Sequence, residues 1–324
     1  MRTISERRTV ENAGAASDPL EWLLAGDPAI RWQTLRDLAG AGRAKVERER
    51  AKVAVEGWGA RLLDKQGRDG TWSGGMYTPK WTSTHYTLLA LRDLGVPASN
   101  VGCRTACGLI LDRGLQSDGG INYPTRPSDK RRGEACISGM SLSIVSYFEM
   151  DDERVDRIAD YALKEQMPDG GWNCRKPAGA THSSMNTTIS MLEGLRHYEL
   201  FRRRKRAEVR AAMQRGREFL LEHRLFRSHR TGAVIKSEFT RFVFPPRWHY
   251  DVLRALDHFH DVDAPRDPRL ADAIALVEER RGKDGLWPLT YKYHGKGYFD
   301  MERVGAPSRW NTLRALRVLR WWSS

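Results

Sequence analysis

Cysteine is scarce in this chain, 4 in 324 residues. They stand at positions 103, 107, 136 and 174, too few and too scattered for a disulfide framework in a chain of this length. Reduced thiols in a cytoplasm are therefore the default expectation. No apolar run approaches the roughly 18 residues of a membrane span, and no apolar stretch follows the early arginines as a secretory leader requires. The P-loop, the dinucleotide glycine fingerprint and the Gly-x-Ser-x-Gly elbow are all missing, which argues against nucleotide enzymes and hydrolases of the elbow type. Nothing resembles a zinc finger or an RNP motif. Acidic residues are the minority, 41 against 54 basic ones, for a net charge of +13. Much of that excess lies in the run 201–217. It reads as the solvated face of an outer helix or, more sharply, as a peripheral contact for an anionic membrane or for nucleic acid. Residues 1–17 are polar, charged and rich in Ala and Gly. They are expected to be a disordered tail, leaving 18–324 as one domain.

What the chain does have is a repeat. Gln66-Gly-Arg-Asp69-Gly70-Thr-Trp72, Gln116-Ser-Asp118-Gly119-Gly120 and Gln166-Met-Pro-Asp169-Gly170-Gly171-Trp172 each close one helical pattern and precede another, and Lys283-Asp284-Gly285-Leu-Trp287 is a fourth copy. The aspartates are spaced by 49 (69 to 118), 51 (118 to 169) and 115 (169 to 284). The last gap is nearly two periods, and the segment 222–232 supplies the worn copy expected within it. A period near fifty residues predicts an array of similar units. Each unit is a charged amphipathic helix, an Asp-Gly turn whose Gly takes a positive φ, and a more apolar helix. The apolar helices are expected near 29–38, 82–94, 135–148, 183–198, 248–259 and 308–319. Arg31-Trp32-Gln-Thr34-Leu35-Arg36 and Arg309-Trp310-Asn-Thr312-Leu313-Arg314 nearly coincide, so the last helix should occupy a place equivalent to the first. The expected fold class is all-α: a closed double ring of about six helical hairpins, apolar helices inside, with an open superhelix as the competing form.

The Gln-x-x-Asp-Gly-x-Trp string after a helix resembles the QW-type repeat of the squalene cyclase and protein prenyltransferase superfamily, over about residues 20 to 322. The resemblance implies an α/α toroid, in which Gln66, Trp72, Gln166 and Trp172 tie neighbouring helices together. It does not carry function. Class II terpene cyclases of this type protonate their substrate with Asp-x-Asp-Asp at the cavity. The nearest string here, Glu149-Met150-Asp151-Asp152, ends an inner helix at the opposite rim and reads as an N-cap, so protonation-type cyclisation is not expected.

In such a ring every inner-helix N-terminus faces one mouth, which gathers helix-dipole potential and free N–H groups and so favours an anion. His85, Arg241, Arg247, Trp248, His249, Lys292, Lys296 and Trp310 fall at or near that end. Arg241, Arg247, Lys292 and Lys296, with Trp248 and Trp310, are the candidate ligand-binding set. His85 and His249 are candidate acid–base groups, and Asp251 could orient His249 or pair with an arginine. Glu134 and Cys136 open one inner helix, while Cys174 and His182 lie just before the next. Two thiolates, an imidazole and a carboxylate make a tetrahedral zinc set, similar to the Asp-x-Cys and His site of prenyltransferase β subunits. Alternatively, both cysteines are small buried apolar groups and Glu134 a helix cap. Cys103 and Cys107 share a helix face but have no third ligand nearby. The functional expectation is an isoprenoid-like or other amphipathic anionic ligand in the cavity, with zinc-assisted group transfer as its enzymatic form. The alternative is a non-catalytic module recognising protein, membrane or nucleic acid.

Overall fold

A computed structural model describes residues 18–124, 132–202 and 204–324. The expected disordered tail lies outside the described residues. Among the described residues, thirteen α-helices and four short 3-10 turns make up the regular structure, and β-pairing is limited to isolated bridges. No described helix is long and apolar enough to cross a membrane.

Six helices form the inner ring: α2 (Pro28–Asp37), α5 (Thr84–Leu94), α7 (Ala135–Tyr147), α9 (Met185–Phe201), α11 (Val252–Asp261) and α13 (Arg309–Ser323). The outer layer is α1 (Pro19–Leu24), α3 (Arg43–Ala51), α4 (Gly57–Leu63), α6 (Val101–Gly114), α8 (Glu153–Glu165), α10 (Arg206–Glu222) and α12 (Ala271–Glu279). Side chains trace the inner ring all the way round. Trp32 Nε1 donates to Leu94 O at 2.9 Å (α2 to α5), Arg92 Nη1 to Ser143 Oγ at 2.5 Å (α5 to α7), and Arg254 Nε to Glu193 Oε1 at 2.7 Å (α11 to α9). Arg317 pairs with Asp257 of α11 and, at 3.2 Å, with Asp37 of α2. Between α7 and α9 the backbones touch: a Cβ on Gly139 would stand 2.7 Å from the Ser190 carbonyl. The ring is closed, and the open superhelix is excluded.

The repeat motif explains why the hairpins form. Gly70, Gly119, Gly170 and Gly285 all have φ between +79° and +90°, the left-handed conformation that a Cβ disfavours. Each motif tryptophan is fully buried and its indole N–H reaches a carbonyl ten residues back in the preceding outer helix or at its edge: Trp72 to Leu62, Trp172 to Ala162, Trp287 to Val277. The same residues' backbone N–H groups donate to Thr84, Thr188 and Thr312 in the first turn of the following inner helix, all at 3.0 Å. One residue thus fastens both helices of its hairpin. Gln66 Nε2 bridges Gly70 O and Gly102 O, and Gln166 Nε2 bridges Gly170 O and Ala212 O, which ties each turn to the next outer helix. The worn copy is present too: Arg227 pairs with Val234 across a turn with Gly232 at φ +71°, one residue longer than the others.

One helix start differs from expectation. The inner helix anticipated from residue 248 begins at Val252, because Pro245 and Pro246 withhold donors and the Asp251 side chain caps Arg254 N at 2.7 Å. The segment 241–250 is left as loop over the ring.

Candidate functional site at the N-terminal mouth

All six inner helices run parallel, so their first turns meet at one rim under the loops 73–83, 241–250 and 290–307. Aromatic rings build the walls. Tyr77 packs against His85, Tyr86 and Tyr123 at centroid distances of 5.4, 5.0 and 6.0 Å, and its hydroxyl shares a 2.7 Å hydrogen bond with that of Tyr86. Trp81 stands edge-on to Tyr86, and its indole donates to His294 O, locking the loop 290–307 onto the mouth. His249 lies sandwiched between Trp248 and Tyr293, 3.7 and 3.5 Å from their centroids.

Two cations face these rings. Arg247 sits 5.3 Å from the Trp81 ring centroid, and Lys80 lies over Tyr77, Trp81 and Trp248. Neither forms an ion pair or donates a hydrogen bond among the described residues. Burial lowers the Arg247 pKa to about 10, which shows how little the protein offers this charge. Arg247 also holds φ at +59°, a costly conformation for a non-glycine residue.

His85 is wholly buried, and neither ring nitrogen has a partner. Burial, with the Arg92 charge assisting, drops its pKa to about 3, so the imidazole is neutral at pH 7. The Tyr123 and Ser141 hydroxyls nearby are also buried and unpartnered.

The thiols form the chemically densest spot. The ligand atoms of Glu134, Cys136 and Cys174 all lie within 4.8 Å of one another, and the Cys136 thiol donates to Glu134 Oε1 at 3.0 Å. Hydrogen bonding from Cys136 pulls the Cys174 thiol down to about 7, while contact with Cys174, burial and Glu134 hold Cys136 well above its ordinary range. Two sulfurs and a carboxylate oxygen this close together fit a soft divalent cation.

Several expected site residues sit elsewhere. His182 is not part of the thiol cluster: Asn173 Nδ2 holds its carbonyl at 2.7 Å and leaves the imidazole exposed beside Thr181. Asp251 does not orient His249. It is buried, caps α11 and faces Arg314 at 3.7 Å, while Arg254 Nη1 takes the His249 carbonyl. Lys292 is paired with Asp300, and Lys296 is exposed and contributes only its carbonyl, to Trp81 N. Arg241 lies over the Tyr291 ring at 4.7 Å. Trp310 stacks beneath Phe244 at 3.9 Å and faces the ring axis instead of the mouth. Tyr77, Lys80 and Tyr86 escaped notice in the sequence, although the cluster Tyr77-Thr-Pro-Lys80-Trp81 directly before an inner helix was a usable signal.

The ring centre is not an apolar tunnel. Charged residues of four inner helices meet there in ion pairs: Arg92 and Arg254 share Glu193, and Arg314 and Arg317 share Asp257. Four cations of the basic run 201–217 hold carboxylates: Arg202 and Arg204 on Asp156, Lys205 on Asp160 and Arg210 on Glu199.

No family model and no curated protein sequence matches the chain. Among solved structures, a protein from Actinoplanes is similar over 92% of this chain and 91% of that one, with 15% identity and a TM-score of 0.47. The apo type II terpene cyclase MstE from Scytonema is similar over 91% of this chain and 88% of its own, with 15% identity and a TM-score of 0.46. A variant of that cyclase in complex with geranylgeranyl dihydroxybenzoate, its substrate, is similar over 84% of this chain and 96% of its own, with 12% identity and a TM-score of 0.33. The likeness is loose, and the toroid assignment rests on the helix contacts described above.

Proposed function

We propose that the N-terminal mouth binds an amphipathic ligand with an anionic head and an isoprenoid-like or aromatic body, and that the chain transfers a group to or from it with the help of zinc. One observation carries the ligand reading. A half-buried guanidinium, Arg247, is held without a protein acceptor against an aromatic wall, with Lys80 beside it. A charge in such a place is costly unless an anion completes it. The wall of Tyr77, Trp81, Trp248 and Tyr293 would cover the apolar body. Because ionic groups fill the axis below, the body lies across the mouth and does not thread the ring.

Glu134, Cys136 and Cys174 would hold the zinc, leaving a fourth position open to substrate. When bound, zinc would act there as a Lewis acid or lower the pKa of a bound nucleophile. Arg247 and Lys80 would steady the anionic head, and the Tyr77–Tyr86 pair would exchange hydrogen bonds with polar groups that reach past it. Four cations of 201–217 already hold carboxylates whereas Arg247 and Lys80 hold none among the described residues, which favours this reading over a module acting through its basic face.

The test has two arms. Purified protein should carry about one equivalent of zinc, lost in Cys136→Ser and Cys174→Ser and retained in Cys103→Ser and His182→Ala. Calorimetric titration with farnesyl diphosphate and with geranylgeranyl dihydroxybenzoate should show binding that Arg247→Ala weakens about 10- to 100-fold, the loss of one charged hydrogen-bond donor. Failure of both probes to bind, or equal affinity in the variant, would overturn the ligand reading; metal-free protein that ignores added zinc would overturn the other.

A further inference from the structure

Beneath the Phe244–Trp310 stack all six inner helices contribute to a second chamber of about 220 Å³, from Trp310 in the first turn of α13 to Tyr147 at the end of α7. Arg36 and Asp261, both half-exposed, stand at its edge, so it opens at the rim opposite the mouth. Its walls are polar, and the bookkeeping of donors and acceptors is uneven. Arg314 Nη1 donates to Val243 O at 3.2 Å, but its Nε and Nη2 come only within 3.6 Å of Asp257 and 3.7 Å of Asp251, too far for hydrogen bonds. Trp310 Nε1 and His258 Nε2 line the same chamber and have no partner at all, although their residues are only 2% and 5% exposed. Trp310 and Arg314 are one helical step apart on α13, and His258 comes from the neighbouring α11, so the three belong to one wall.

An indole N–H and a guanidinium can only donate. Whatever completes them must therefore be an acceptor. The carboxylates are already engaged: Asp93 by Arg92, Glu193 by Arg92 and Arg254, Asp257 by Arg317, and Asp261 by Arg196. Asp37 and Asp251, just behind the wall, balance the remaining arginines, so attraction arises from aimed donors and not from net charge. A volume of about 220 Å³ lies below that of pockets that hold drug-sized ligands and suits a small molecule.

We propose that this axial chamber is a separate binding site for a small oxyanion, a carboxylate or phosphate, which enters from the rim opposite the mouth. Its acceptor oxygens lie against Trp310 Nε1 and Arg314, with His258 Nε2 as the third contact.

The experiment measures thermal stabilisation and calorimetric binding of the full chain with inorganic phosphate and, separately, with succinate, each against sodium chloride at matched ionic strength. Saturable binding of at least one anion is expected, and the arm that saturates names the source. Trp310→Phe keeps an aromatic ring against Phe244 and removes the N–H together with two ring carbons, so it should weaken binding about tenfold while retaining the wild-type circular dichroism spectrum. Arg247→Ala, on the far side of the Phe244–Trp310 stack, should bind the anion as the wild type does. Three results would each overturn the proposal: neither anion saturates beyond chloride, Trp310→Phe binds with unchanged affinity, or Arg247→Ala abolishes binding. The last would move the anion to the mouth and leave the reading of the mouth intact.

Discussion

His85 should make the protein acid-labile in a way that one substitution can isolate. Its imidazole is fully buried without a partner, and its pKa falls from 6.5 to about 3. The sign follows from linkage. In the unfolded chain the group takes a proton below about pH 6.5, whereas in the folded protein it resists until about pH 3. Acid therefore favours the unfolded state, and stability falls with pH throughout that window at about 1.4 kcal/mol per unit. From pH 6.5 to pH 5.0 the loss from this one residue is about 2 kcal/mol. His258 and His249, each lowered to about 4 by burial, act in the same direction, so the total slope is not diagnostic. The difference between wild type and His85→Gln is. Gln does not titrate, and its packing cost is the same at both pH values and cancels. Urea unfolding at pH 6.5 and 5.0, which leaves ionic strength unchanged, should show the variant losing about 2 kcal/mol less than the wild type. Equal losses in the two proteins would mean that the folded state protonates His85 as readily as the unfolded chain does, and the account of a dry, unpartnered imidazole would fail.

Two further predictions concern the scaffold. Gly139→Ala drives a methyl group into the Ser190 carbonyl at the α7–α9 crossing and should cost about 1–3 kcal/mol, seen as a lower melting temperature. Gly108→Ala on α6, with nothing within 4 Å, should be neutral or slightly stabilising, and equal melting temperatures for the pair would sink the close-packing argument. Gln166→Ala removes bonds to both Gly170 O and Ala212 O and should cost about 1–3 kcal/mol. Gln116→Ala should cost less, because Gln116 bonds only within its own turn, to Gly114 O and Asn122 O; denaturant midpoints in the opposite order would contradict the bridging role.

The recurrence of Asp-Gly every fifty residues determined the hairpins by itself. It needs only a glycine free to take positive φ and a tryptophan that must bury its ring and find an acceptor, and both demands are local. The likeness of 31–36 to 309–314 marked both segments as inner helices, and α13 does lie beside α2, where Arg317 reaches Asp37. The Glu134-x-Cys136 pair was legible for the same reason, being two residues apart at a helix start.

What required tertiary structure was everything set by rotation about a helix axis or by the path of a loop. Sequence could place His182 near the next helix start but not reveal that the loop turns its ring outward, away from Cys136 and Cys174. It put Asp251 one step from His249, yet the cap on α11 and the buried Arg314 claim that carboxylate first. Trp310 and Arg247 are both near the mouth in sequence, and only the stack of Phe244 on Trp310 separates them into two chambers. The inner helices looked apolar on average. The charges that face the axis, Arg92, Glu193, Arg254, Asp257 and Arg317, belong to four separate helices whose pairing energies exist only once the ring has closed. An ion pair between residues a hundred positions apart leaves no periodic trace, because each partner alone reads as an ordinary solvated charge.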